Sequence, residues 1–528
     1  LQHRVRAHRL SPRPAEQDGL LAEVTDRGLA ALERQDGLQA FEHFQHALWL
    51  RADTRMLTLA LTAMVQARRP ELVQGVRDPL RRLPPSRPRH AGQAWVWLAT
   101  DNVEAALVHI LSGLDLPEED PDRSGLVLLA HALNATGHAA LVKGRLELME
   151  APAQALLAQL RPLRIQLEHE ARLDGGTRAL LVEVQSLEAE LALWSAGDHG
   201  DHIASGRHTS GMRMLLDELA AVPGTEAAQA GIGSVVGWGL LAQGEVAEAH
   251  RVLRGAAAAD PADRTLSVRV HTGLGRLAFQ AGDWDTAQTH FERAVENSLL
   301  LPTTAATRAA FASAALVPLA RGDQPAGERL LARAQDEGLD AGDLVAGTVA
   351  LARGIGALFT GEHRQAVRHF TVLDGGRPGL RTAGVTGMVL HARELALTGA
   401  ADRLECLAAS VGDDAAAAPP AVGRAVRDAV TGFLAVAHGE LEQALRHLAS
   451  CLGALDSAVE SPTAAVRSAV SAAPLPGGGH ALVRAFVALD AAGVAHQLPG
   501  TVAGDEQALG WVRQAAETFL RTDSRRQH

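Results

Sequence analysis

The second half of the chain repeats a glycine at intervals of 38 to 40 residues, in the order Gly244, Gly282, Gly322, Gly361, Gly399 and Gly439. In five of the six repeats a small residue follows this glycine by five positions, and a large apolar residue comes four positions later. Glycine adopts the left-handed conformation that ends a helix without a steric clash at Cβ, so it marks helix–helix turns. The spacing therefore predicts an array of helical hairpins, each turning at its glycine.

The stretch Leu274–Ala294 shows one such hairpin in full. Apolar residues spaced three and four apart share one face before the turn at residues 281–283, and again after it. Gly275 and Ala287 allow the two helices to approach closely, and Phe291 is predicted to fill the space between them. This hairpin resembles a tetratricopeptide repeat. We therefore predict an all-α fold, a tetratricopeptide-like helical-hairpin solenoid wound as a right-handed superhelix.

The regularity of the pattern varies along the chain and suggests five segments. We predict an irregular lead-in at 1–20, degenerate helical repeats at 21–229, regular repeats at 230–455, a linker at 456–479, and a C-terminal helical pair with a tail at 480–528. The linker prediction rests on the sequence AAPLPGGG near its end.

Three shorter segments are predicted to connect helices. Residues 35–37 and 101–102 are expected to form inter-helix turns in the degenerate region, the first of them containing Gly37. The segment Ser410–Gly423, with the sequence SVGDDAAAAPPAVG, is expected to be an enlarged loop inside the regular array.

The composition argues against several classes of function. The net charge is −11 and the pI about 6.1, so a broad basic footprint for nucleic acid is absent. The only lysine, Lys143, is followed by Gly144, which excludes a Gly-Lys-Ser/Thr phosphate loop. No apolar run reaches the roughly twenty residues that span a bilayer. We therefore expect a cytoplasmic, non-enzymatic protein without a cofactor, and we expect Cys406 and Cys451 to be buried free thiols.

One cluster, in the sequence SAGDHGDHIASGRH, combines side chains that could bind a metal ion. His199 and His202, with Asp198 or His208, would suit zinc. The same residues can also be read as one more inter-helix turn, because they follow Trp194 as the turn at 281–283 follows its own helix. No second cluster supplies a closed ligand set, so the sequence favours the turn and predicts no metal site, with these histidines as weak candidates.

The first helices of such repeats generally line the concave face, where ligands bind. The positions predicted to face this groove are mainly apolar, with isolated arginines, which would suit an amphipathic peptide helix or an apolar molecule with an acidic group. Arg269 and Arg276 are seven residues apart and so share one helical stripe. The alternative for these residues is ordinary packing between repeats. The candidate ligand-binding residues are Trp238, Arg269, Thr272, Arg276, Phe279 and Arg393.

Phrases such as GLLAQGEVAEAHRVL and LARGDQPAGERLLARAQ resemble the helical-repeat sensor region of large LuxR-type, MalT-like transcriptional regulators. The ATPase domain and the helix-turn-helix domain of that family have no counterpart in the sequence. The resemblance implies either a sensor region or a repeat-only relative, binding a regulatory small molecule, peptide or protein partner without contacting nucleic acid. The alternative is a stand-alone adaptor or chaperone-like scaffold. The sequence leaves the oligomeric state open.

Overall fold

The computed structural model shows helices and no β-strand in the residues it describes. The all-α helical-repeat fold is therefore confirmed. The chain forms two compact units, one made of residues 1–141, 145–197 and 301–304, and the other of residues 142–144, 198–300 and 305–528. The described residues are 4–5, 14–116, 123–143, 145–171, 180–181, 183–185, 187–188, 191, 216–217, 226–242, 245–259, 263–301, 303–335, 342–374, 384–417, 420–460, 481–498 and 502–521.

The first unit is built from short and long helices joined by tight turns. The 3-10 helices Pro70–Val76 and Leu146–Leu148 are interspersed among them. Its α-helices are α1 (Pro14–Glu33), α2 (Gly37–Leu50), α3 (Thr54–Ala67), α4 (Arg77–Arg82), α5 (Arg87–Leu98), α6 (Val103–Leu114), α7 (Ser124–Lys143) and α8 (Glu150–Ala171).

The second unit contains the regular hairpins and the last two helices, with a 3-10 turn at Thr371–Asp374. Its first eight helices are α9 (Glu226–Ala242), α10 (Val246–Ala259), α11 (Arg264–Gln280), α12 (Trp284–Ser298), α13 (Ala305–Ala314), α14 (Leu316–Ala320), α15 (Gln324–Ala334) and α16 (Gly342–Phe359). The remaining helices are α17 (His363–Phe370), α18 (Gly384–Leu397), α19 (Ala401–Ala417), α20 (Pro420–His438), α21 (Leu441–Glu460), α22 (Ala481–Gln497) and α23 (Val502–Arg521).

The turn glycines adopt the predicted left-handed conformation. At Gly282, φ is +75°; its N–H donates to the Phe279 carbonyl at 3.1 Å, and the next N–H, from Asp283, donates to the Ala278 carbonyl at 2.9 Å. These two bonds satisfy carbonyl groups that would otherwise lack a hydrogen-bond donor at the end of α11. The Asp283 carboxylate then accepts from the Thr286 N–H and caps α12. The same pair of backbone bonds recurs at Gly322, Gly361, Gly399 and Gly439, with φ between +73° and +83°, while Gly244 lies outside the described residues.

The first unit makes the same turn without glycine. Gln35 and Asp101 have φ of +59° and +58°, and each takes part in the same backbone hydrogen bonds. The predicted turns at 35–37 and 101–102 are confirmed, but Gly37 is not the left-handed residue of the first one. It begins α2, where a Cβ would stand 2.5 Å from the backbone nitrogen of Ala67. Close packing of α2 on α3, not turn geometry, explains this glycine.

A glycine on the first helix of a hairpin meets a large side chain on the second. A Cβ added to Gly275 would stand 2.5 Å from the Phe291 ring, so the two helices approach closely only because Gly275 has no side chain. This confirms the predicted role of Phe291, which is 2% exposed. The same contact, always between residues sixteen apart, recurs in the pairs Gly28–Phe44, Gly237–Leu253, Gly354–Phe370 and Gly432–Leu448.

Several segments predicted as irregular are helical. Helix α1 begins at Pro14, inside the expected lead-in, and α21 continues to Glu460, inside the expected linker. In the expected loop Ser410–Gly423, α19 extends through the alanines to Ala417, and α20 begins at Pro420. Alanine has the highest helix propensity, and proline is well tolerated at the start of a helix, where its missing N–H costs nothing.

The two cysteines differ in environment. Cys451 is buried, and burial raises the pKa of its thiol to about 12, so it is an inert packing residue as predicted. Cys406 is exposed, contrary to the prediction. In this repeat Leu404 and Leu407 take the buried positions, which turns Cys406 outward.

Among the described residues no helix has the length and apolar character needed to cross a membrane.

We expect Phe291→Ala to lower the free energy of unfolding by about 3–5 kcal/mol, because it leaves a cavity between α11 and α12 that glycine at position 275 cannot fill. Chemical denaturation followed by circular dichroism measures the change. Leu300→Ala, at a side chain that is 58% exposed, is the control and should change little. Equal effects of the two substitutions would contradict the packing described above.

We expect Gln35→Gly to stabilise the first unit by about 1 kcal/mol, because glycine removes the cost of a left-handed Cβ. The reverse change in the second unit, Gly282→Ala, should be destabilising by a similar amount. Thermal unfolding of both variants measures the two shifts, and shifts of the same sign would show that the turns are not equivalent.

Candidate binding face

The last helical pair lies on the helices that were predicted to carry the ligand-binding residues. Helix α22 packs against α11, α18 and α21, and its Phe486 contacts Phe359 of α16. Helices α11, α16 and α18 are each the first helix of a hairpin, and we call the surface that they present to α22 the first-helix face. This face is therefore covered by a later segment of the same chain.

Helix α22 has the composition of a helix that is buried on most sides. Eleven of its residues are buried, and they are distributed all around the helix. Among the fully buried side chains Phe486 is one of the largest. The buried residues are Ala481, Leu482, Val483, Ala485, Phe486, Val487, Ala488, Ala491, Ala492, Val494 and Ala495.

Five aromatic rings form a continuous row from the hairpin α11–α12 to the last helix. Phe279 stacks on Trp284 with ring centroids 5.4 Å apart, and Trp284 meets the edge of Phe359 at 5.6 Å. Phe359 contacts Phe486 at 5.8 Å, and Phe486 contacts Phe519 of α23 at 5.2 Å, both in edge geometry. Such pairs add roughly 0.5–1.5 kcal/mol each beyond the area they bury. Phe279, a predicted ligand-binding residue, is thus part of this internal row.

Arg393 on the first-helix face binds a carboxylate of α22. Its Nε donates to Asp490 Oδ2 at 2.6 Å and its Nη2 donates to Oδ1 at 3.2 Å, while its Nη1 donates to Glu394 Oε1 at 2.7 Å. The guanidinium also lies over the Phe486 ring, 4.9 Å from the centroid. His363 Nδ1 lies 2.7 Å from the second oxygen of Glu394. Helix α22 therefore contributes both a carboxylate and an aromatic ring that contact Arg393.

The electrostatics of this pair follow from its burial. Burial alone would lower the pKa of Arg393, but Asp490 and then Glu394 outweigh it and raise the pKa. Burial raises the pKa of Asp490, against the opposing effect of Arg393. The two-point geometry is that of an ionised pair, which in a low-dielectric interior is strongly attractive. Removal of Arg393 would leave two carboxylates, Asp490 and Glu394, without their common partner, whereas removal of Asp490 would leave Arg393 with Glu394 alone.

The other predicted residues lie between two neighbouring hairpins. Trp238 of α9 donates its Nε1–H to the Arg269 carbonyl of α11 at 3.1 Å, and the Arg276 guanidinium lies 5.6 Å from the Trp238 ring centroid. Arg276 is 3% exposed, and burial lowers its pKa to about 10. The Thr272 hydroxyl donates to the Val268 carbonyl at 2.6 Å. The Trp238 contacts join α9 to α11, whereas the Thr272 bond lies within α11. A ligand-binding role for these four residues stays a prediction.

The sequence analysis did not find the partner residues on α22. Asp490 is the one carboxylate of the segment ALVRAFVALDAAGVAHQ, and an isolated acid in an apolar helix is a signal for a buried, paired charge.

His199, His202 and His208 lie outside the described residues. Within the described ranges no group of three or more histidine, cysteine or acidic side chains could hold a metal ion.

Comparison with known protein families gives one match, within the second unit. Residues 240–298 match the tetratricopeptide repeat family. The matched region runs from the end of α9 through α12 and contains the contact between Gly275 and Phe291. It covers a small part of the chain, so the match describes this region and not the whole protein.

No curated protein matches the chain. A solved structure described as a circular tandem repeat protein with novel repeat topology and enhanced subunit contact surfaces is 16% identical, covers 95% of this chain and 89% of its own, and has a TM-score of 0.15.

We expect Asp490→Ala to lower the free energy of unfolding by roughly 1.5–3 kcal/mol, because it removes a two-point charge-assisted hydrogen bond and leaves the Arg393 guanidinium with Glu394 as its carboxylate partner. The triple variant Arg393→Met, Glu394→Gln and Asp490→Leu should recover most of that loss, since it removes all three charges and keeps the volume. Denaturant titration of the single and triple variants measures both changes. A triple variant as unstable as the single one would contradict the pairing.

Proposed function

We propose that the chain is a non-catalytic regulatory binding module whose first-helix face binds an amphipathic α-helix carrying a carboxylate. Tetratricopeptide repeats generally mediate protein–protein interaction, and residues 240–298 match that family. The observation that carries the proposal is the seating of α22, whose Asp490 binds Arg393 while Phe486 joins the aromatic row. Helix α22 is in effect a bound peptide that belongs to the same chain.

The chemistry of α22 defines the partner. A helix that competes with α22 needs an aromatic residue to lie against Phe359 and a carboxylate four residues later. Phe486 and Asp490 of α22 have this spacing, and residues four apart share one helical face. Small residues elsewhere would let it approach as closely as the alanines of α22 do. A covalently attached helix has an effective concentration of roughly millimolar order, so an exchanging partner must bind correspondingly tightly.

Exchange between α22 and a partner helix would make the module regulatory. The resemblance to the sensor region of LuxR-type, MalT-like regulators suggests that such an exchange reports on a peptide, a protein or a small amphipathic acid. A stand-alone adaptor that holds one protein partner in the cytoplasm is the alternative. Both versions assign recognition to the same face, and neither involves nucleic acid.

A protease site placed within residues 472–479 allows a direct test on the full chain. After cleavage we expect the fragment containing α22 and α23 to remain bound, and a fluorescent peptide of residues 481–497 in excess to replace it slowly. The peptide with Asp490→Asn should bind at least tenfold more weakly, because a charge-assisted pair is worth roughly 1.5–3 kcal/mol. The control peptide carries His496→Gln, at an exposed position.

Size-exclusion chromatography and fluorescence anisotropy measure retention and exchange. Equal affinity of the parent peptide and the peptide carrying Asp490→Asn would show that the face does not select a carboxylate. Failure of any helix, including residues 481–497 in tandem with residues 502–521, to bind the cleaved chain would overturn the proposal. Co-purification followed by mass spectrometry would then distinguish a protein partner from a small molecule.

A further inference from the structure

Five basic side chains from three consecutive helices converge on one side of the matched repeat. His250 and Arg254 are four residues apart on α10, and His290 and Arg293 are three residues apart on α12, so each pair shares a helical face. His271 of α11 lies against His290. The charges of His250, Arg254 and Arg293 all act on His290, so the two helical faces lie within electrostatic range of each other.

Two imidazoles form the centre of this cluster. The rings of His271 and His290 stack with centroids 5.2 Å apart and an interplanar angle of 26°, and the two Nδ1 atoms are 3.0 Å apart. In that contact one nitrogen donates and the other accepts. The three histidines are half-buried, whereas the arginines are exposed and can move to meet a ligand.

No carboxylate forms an ion pair with this cluster among the described residues. Burial, and then the charges of His271, Arg293, His250 and Arg254, lower the pKa of His290 to about 4. Burial also lowers the pKa of His271 and of His250, with added contributions from Arg293 and Arg254 respectively. The charged groups that lower these three pKa values are all basic, in a protein whose net charge is −11.

Three nearby carboxylates are engaged elsewhere. Glu248 of α10 binds Arg251, Asp285 of α12 binds Arg321, and Glu292 accepts from Gln288. Neither Arg254 nor Arg293 forms an ion pair with a carboxylate within the part of the chain that the structure describes, although Glu296 lies three residues from Arg293 on α12. Two guanidinium groups beside three imidazoles that can donate hydrogen bonds form a set of groups that an external anion can bind.

We propose that His250, Arg254, His271, His290 and Arg293 form a binding site for a phosphate group. A phosphate monoester or inorganic phosphate carries close to two negative charges near neutral pH and three strong acceptor oxygens, which match two guanidinia and the imidazole N–H groups. A carboxylate would offer one charge and two oxygens to the same five residues. The site lies on α10 to α12 and is independent of the contact between Arg393 and Asp490.

The test uses the full chain, with inorganic phosphate and O-phosphoserine as separate probes. Isothermal calorimetry should show saturable binding of at least one probe, and the stronger of the two identifies free phosphate or a phosphorylated side chain as the source. Arg254→Gln with Arg293→Gln should weaken binding at least tenfold. The control is Arg251→Gln, which removes an arginine of α10 that is already paired with Glu248 and should leave the affinity unchanged.

Imidazole NMR signals give a second readout that a loss of folding would not reproduce. Saturating phosphate should raise the pKa of His290 by about one unit or more, because the bound anion favours the imidazolium form. If neither probe binds at concentrations up to roughly 10 mM, the affinity is too weak for a specific site and the proposal is overturned. Binding that is unchanged in the double arginine variant, or that leaves the pKa of His290 unmoved, would also overturn it.

Discussion

The close contact between a glycine on one helix and a large side chain on its partner underlies the hairpins of this protein. Where glycine is present, the helix axes can come close enough for a phenylalanine or leucine to lie against bare backbone, as Phe291 does at Gly275. Both members are needed, because a Cβ would collide with the ring and a smaller partner would leave a void. The contact recurs in both units, in a hairpin that turns through Gln35 as well as in hairpins that turn through glycine.

A second constraint acts across the repeats. Hairpins that contact only their neighbours form an open array, and nothing in the repeat itself covers the surface of the first helices. Helix α22 covers part of that surface, and the part-buried ion pair of Arg393 with Asp490 fixes its position. An apolar helix could slide along an apolar face at little cost, whereas a buried charge pair is satisfied in one register only. The polar contact thus contributes specificity, and the row of aromatic rings contributes affinity.

What the sequence predicted, and what it did not, follows from the distance between interacting residues. The turn glycines and the role of Phe291 were accessible because they depend on residues within one hairpin. The helical turns of the first unit were placed correctly, but the left-handed residues there, Gln35 and Asp101, carry no local signal that distinguishes them from ordinary turn residues. The helix through Ser410–Ala417 was missed because its glycine and aspartates suggested a loop, while its alanines favoured the helix. Among the site residues, Arg393 was one of the candidates, but its partner Asp490 is 97 residues away.

That separation has a consequence for how the protein is made. Hairpins built from local contacts form quickly and can fold one after another as the chain leaves the ribosome, at roughly 5–20 residues per second. The face on which α22 rests is complete well before α22 has been synthesised. For several seconds, every newly made molecule carries this apolar surface uncovered, and Arg393 has not yet paired with Asp490. Any helix that resembles α22, from another copy of the chain or from a chaperone, meets its best opportunity to bind during synthesis and not afterwards.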